Sequence, residues 1–143
     1  MNISLFIDTN VLLSGIFFRG SEAHLLDTPG IRFITCEDAV SELHGVIRRK
    51  LRYLGERTLE IALQEAVRAL DEFDVIYRVK YQTHIAEACR LIPHAKDGII
   101  LAAALYSKAD VLVTGDRHFS VPAVTGRIRV ATAGEIISLI TRR

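Results

Sequence analysis

The chain has 143 residues, half of them hydrophobic, and its 18 basic and 17 acidic side chains leave a formal charge of +1. That length suits one domain with one core, spanning residues 1–143. The charge balance excludes a strongly cationic nucleic-acid binder but not a local basic patch, and no apolar stretch approaches the roughly 20 residues that span a bilayer.

In chain order, the first element is the apolar run Ile3–Ile7, bounded by Asp8, which reads as a buried strand. No charged-then-apolar leader precedes it, so a cytoplasmic location is expected. A helix follows over residues 11–17, with Asp8 or Asn10 able to cap it. Ile31–Cys36 is a second strand. A stripe at Leu43, Val46, Ile47, Leu51 and Leu54 predicts a helix over residues 37–54, with Glu42 at the stripe's margin. A similar stripe predicts a helix over residues 58–73, before a third strand over 75–79. Residues 94–108 form a helix that is apolar nearly all round, hence buried on most sides. Strands over 109–114 and 128–131 and a C-terminal helix through Ile136, Ile137, Leu139 and Ile140 complete the pattern. Such alternation predicts a three-layer α/β/α fold, a central parallel sheet of about five strands with helices on both faces.

Asp8 and Asp116 each lie just past the carboxyl end of an apolar run, where open α/β sheets keep their ligands. Asp97 shares the face of Ile100 and Leu101, and a carboxylate aimed into a core is costly unless paired, hydrogen-bonded or bound to metal. Each acid also has an ordinary reading. Asp8 caps a helix, Glu42 is a solvated helix residue, Asp97 favours a helix start and Asp116 sits in a turn. Asp110, at the far end of its strand, belongs to the strand start. Together the acids form an oxygen-donor set suited to Mg2+ or Mn2+. Asn10 and Thr114 add short polar groups able to orient a carboxylate. Cys36 and Cys89 fit no zinc spacing and read as buried free thiols. Neither a Gly-x-Ser-x-Gly elbow nor a glycine-rich phosphate loop is present.

These segments resemble the motifs of the PIN-domain family, most closely its toxin-type, VapC-like members from prokaryotic toxin–antitoxin pairs. The similar stretches are Phe6-Ile7-Asp8-Thr9-Asn10-Val11-Leu12, Val40-Ser41-Glu42-Leu43, Asp97 with Leu101-Ala102-Ala103-Ala104, and Ala109 through Asp116. The resemblance implies that Asp8, Glu42, Asp97 and Asp116 are catalytic metal-binding acids, with Asn10 and Thr114 in support. It also implies RNA hydrolysis with one or two Mg2+ or Mn2+ ions, a homodimer, and a possible antitoxin partner. Many relatives carry another acid or an asparagine beside the third aspartate, whereas Lys96 and Gly98 flank Asp97 here. Arg48 and Arg49, in the densest basic run, are candidates for holding RNA phosphates, or an ordinary solvated helix face. Arg117 and His118, directly after Asp116, are candidates nearer the scissile phosphate. Two rival readings stand beside the nuclease. A haloacid-dehalogenase-type phosphatase needs an acid where Asn10 stands. A non-catalytic PIN-like module that binds RNA or protein has no use for four acids.

Overall fold

The computed structural model describes residues 2–141. Five strands form the sheet: β1 (Ile3–Ile7), β2 (Ile31–Cys36), β3 (Asp74–Ile76), β4 (Val111–Val113) and β5 (Arg129–Ala131). All pair in parallel, in the order β3-β2-β1-β4-β5. The helices are α1 (Thr9–Phe17), α2 (Ser21–Leu26), α3 (Glu37–Leu51), α4 (Glu56–Leu70), α5 (Arg78–Tyr81), α6 (Ile85–Ala88), α7 (Ala95–Ser107), α8 (Pro122–Thr125) and α9 (Ala133–Thr141). On one face α1 packs against α2 and α3, α3 against α4, and α9 against α2; α5 and α6 pack on α7 on the other. The result is the expected three-layer α/β/α architecture.

β1 lies at the centre, and Leu5, Phe6 and Ile7 are fully buried, as are Leu112 and Val113 of neighbouring β4. Strands covered on both faces need this unbroken apolar character. After β1 the chain goes to β2 on one side, while β4 joins β1 on the other. The sheet reverses direction between β1 and β4, and a crevice opens beyond their carboxyl ends. At the amino ends, Asp110 accepts from the Ser4 backbone N–H at 2.8 Å, tying β4 to β1.

Several boundaries differ from the sequence pattern. The strand expected over 75–79 stops at Ile76, because α3 draws the chain away. Glu37 Oε1 accepts from Arg78 N at 2.8 Å, and Asp38 accepts from Arg78 Nη1 at 3.0 Å. The buried Tyr81 hydroxyl also bonds to Asp38. The helix expected over 37–54 ends at Leu51 and tightens into a 3₁₀ turn, Arg52–Leu54. Gly55 then takes φ +97°, a left-handed value that glycine adopts without strain, and starts α4 anew. The strand expected over 109–114 keeps only its middle, Val111–Val113.

Helix α7 runs through the core, with Ala102, Ala103 and Ala104 fully buried. Its Gly98 is a close-approach point, since a Cβ there would lie 3.0 Å from Cys89 Cα and collide with Cys89 Sγ. Gly98→Ala is therefore expected to cost about 1–3 kcal/mol from overpacking. That exceeds the roughly 1 kcal/mol an alanine contributes over glycine in a helix. A lower urea midpoint than wild type checks this; an equal or higher one would show that α6 gives way.

A candidate metal centre beyond β1 and β4

Asp8 leaves β1 as the N-cap of α1, and its Oδ1 accepts from Thr9 N at 2.7 Å. Its Oδ2 accepts from the Thr114 hydroxyl at 2.7 Å, and that hydroxyl oxygen in turn accepts from Asp116 N at 3.0 Å. A single threonine thus holds the two strand-end aspartates in register. Thr9 donates its hydroxyl to Glu42 Oε2 at 3.1 Å, which fixes the exposed glutamate of α3 over α1.

Asp116 caps the 3₁₀ turn Arg117–Phe119 by accepting from His118 N at 2.9 Å. That cap folds the His118 ring back. Its Nδ1 lies 3.2 Å from Asp116 Oδ1 and 3.2 Å from Asp97 Oδ2. Asp97 comes from the first turn of α7, and His94, the residue before that helix, stacks on His118 with ring centres 4.0 Å apart.

Asp8, Glu42, Asp97 and Asp116 all line one cleft of about 180 Å³, together with Asn10 and Lys96. At its edge, one ligand atom each from Asp97, Asp116 and the exposed His118 lies within 4.8 Å of the others, close enough to share one cation. Asp8 and Glu42 border the cleft outside that tight set. Larger grooves exist, including one of about 730 Å³ lined by Arg32 and Lys108, but it has no such group of donors. Volume alone is a poor guide to the chemistry here.

Electrostatics mark the cleft as strongly negative. Burial pushes the Asp8 carboxyl up to about 6 from its ordinary 3.8. The bonds from Thr114 and Thr9 pull the other way, and the charges of Glu42 and Asp116 push it further up. A buried carboxyl with two further carboxylates close enough to raise it fits a divalent cation among them. Burial also pushes the Cys36 thiol up to about 11, so it stays protonated and is no nucleophile at neutral pH. Cys89 is half-buried rather than buried.

Thr114 is buried behind Asp8, and Asn10 is exposed on the first turn of α1. Arg48 and Arg49 are exposed in the last turn of α3, away from the residues lining the cleft, and Arg117 is exposed beside it. Sequence patterns did not single out the Thr9 hydroxyl, the His94 ring, or the placing of His118 between two aspartates. The Asp-x-His spacing of residues 116 and 118 was the available signal for the last of these.

A family model described as PIN domain matches residues 4–118, a stretch that contains all four acids. No curated protein sequence gives a significant match. Among solved structures, the fold is similar to a chain of the VapBC2 structure from Rickettsia felis, bound to a DNA fragment from its promoter. The TM-score is 0.70 at 16% identity, covering 91% of this chain and 98% of that one. A VapBC-1 chain from nontypeable Haemophilus influenzae gives 0.67 at 16% identity, covering 92% and 99%. PAE2754 from Pyrobaculum aerophilum gives 0.67 at 15% identity, with full coverage of both chains. At such identities the likeness concerns the fold.

Proposed function

This chain belongs to the PIN-domain family, and on that basis we propose that it is a metal-dependent endoribonuclease, the toxin of a toxin–antitoxin pair. It acts in the cytoplasm as a single PIN domain over residues 1–143, as a homodimer held silent by an antitoxin. The observation that carries the reading is the convergence of Asp8, Glu42, Asp97 and Asp116 on one cleft. The toxin–antitoxin complex from Klebsiella pneumoniae, which contains a chain of similar fold (TM-score 0.61, 20% identity), supports the toxin assignment beside the VapBC structures.

The four acids would hold Mg2+ or Mn2+, which would supply Lewis-acid chemistry: activation of water near neutral pH and relief of charge on the phosphate. Asp97 and Asp116 would offer oxygens to it beside His118, and Asp8, whose two oxygens accept from Thr9 and Thr114, would add charge while it holds Thr114. Thr9 keeps Glu42 turned toward the cleft. Lys96, on the cleft wall, meets the phosphate that enters, and Arg117, Arg48 and Arg49 hold phosphates farther along the strand. Lys96 and Gly98 beside Asp97 do not favour a binding-only module. Gly98 answers to the close packing on Cys89.

The purified protein is expected to cleave single-stranded RNA in Mg2+ or Mn2+, to stop in excess EDTA, and to stop on adding the product of an adjacent antitoxin frame. No cleavage under any metal condition would overturn the nuclease reading. Cleavage without any inhibitory partner would leave the nuclease and remove the toxin.

A further inference from the structure

We propose that His118 is a direct ligand of the bound cation, and that its imidazole biases the site toward Mn2+ over Mg2+. The inference rests on the metal-site reading above. It goes beyond it by adding a nitrogen donor to what is otherwise a set of carboxylates.

The geometry carries it. Two ligand atoms at right angles on an ion with bonds of about 2.1 Å lie about 3.0 Å apart. His118 Nδ1 stands 3.2 Å from one oxygen of Asp97 and 3.2 Å from one oxygen of Asp116. All three atoms fall within 4.8 Å of one another, close enough for one ion to be shared among them. The ring is also positioned in advance. The Asp116 carboxylate caps the His118 backbone N–H, and His94 stacks flat against the ring with planes 27° apart. An exposed histidine with no role has no such support on two sides.

The chemical consequence follows from donor type. Mg2+ is small, favours oxygen and gives up water reluctantly, whereas the larger, softer Mn2+ accepts an imidazole among carboxylates at less cost. A site of two carboxylates and one imidazole therefore discriminates between Mg2+ and Mn2+ in a way that four carboxylates do not.

The test is direct metal binding rather than turnover. With Mn2+ added to the full-length protein, pulsed EPR is expected to show nitrogen coupling to the bound ion. His118→Ala and His118→Asn are expected to lose it, and His94→Ala to keep it. Titration of Mg2+ against bound Mn2+ is expected to show Mn2+ affinity falling about tenfold or more in His118→Ala, the scale of loss for groups that hold a metal or its ligands, with Mg2+ affinity falling less, so that the preference for Mn2+ shrinks. Circular dichroism verifies folding, and His118, with 51% of its side chain exposed, tolerates truncation. A wild type that binds Mn2+ without nitrogen coupling overturns the inference, as does an unchanged preference in His118→Ala. Either result leaves the nuclease reading standing if RNA is still cleaved, whereas a wild type that binds neither ion overturns both.

Discussion

Asp97→Asn and Asp116→Asn are each expected to lower Mg2+-dependent RNA cleavage by about 10³-fold or more while leaving the fold intact. The amide keeps the carboxylate's shape and one oxygen, so neither α7 nor the turn after β4 loses packing. What it removes is the charge that holds a cation against a phosphate. Removing one charge from a crowded acidic cleft also relieves repulsion, so stability should not fall. Asp110→Asn is the matched control. Asp110 lies at the amino end of β4, where its carboxylate binds Ser4, and its variant should cleave as the wild type does. Single-turnover cleavage at saturating Mg2+, with circular dichroism for folding, reads all three. Wild-type rates in both site variants would remove the acids from the mechanism.

In the metal-free protein, stability should fall as pH rises from about 4 to about 6, by about 3 kcal/mol from Asp8 alone. The sign comes from where the proton is held. Burial raises the folded carboxyl to about 6 from 3.8, so between those values the folded chain binds more proton than the unfolded one. The stabilisation is complete below the lower value and is lost as pH passes the upper one. Asp8→Asn should lack this component and, at neutral pH without metal, be more stable than wild type. The gain should be smaller than 3 kcal/mol, because an amide cannot accept hydrogen bonds on both of its atoms from Thr9 and Thr114. Urea midpoints of both proteins in EDTA across this pH range read the difference. Parallel curves would show that the Asp8 charge carries no penalty. Adding Mg2+ should raise wild-type stability at neutral pH more than that of Asp8→Asn, since the cation offsets the charge that burial penalises.

The strands that position the cleft could be read from the sequence because buried parallel strands are written as unbroken apolar runs. Ile3–Ile7 and Ile31–Cys36 have the expected ends. The placing of Asp8 and Asp116 beyond strand ends follows from the same runs. Short elements were less legible. α5 and α6 span four residues each, too few to show a helical period. The end of β3 is decided by Glu37 and Asp38 reaching across from α3, which no local pattern records. His118 belongs to the same class. Its position depends on a cap from Asp116 and a stack from His94, one of them 24 residues back along the chain. Gly98 is a further case, a residue whose packing cause, the close approach of Cys89 just past α6, only the folded chain reveals.

The parallel sheet with β1 at its centre also governs when the cleft comes into being. β1 meets β2 early, but its other neighbour, β4, is over a hundred residues later; the bond from Thr114 to Asp8 spans 106 positions. Contacts of such long sequence separation carry a large loop-closure cost and form slowly. A chain emerging from the ribosome holds Asp8 and Glu42 long before Asp97, Asp116 and His118 exist to meet them. The donor cluster therefore assembles only at the end of folding, so that partial chains and early folding intermediates lack the centre altogether.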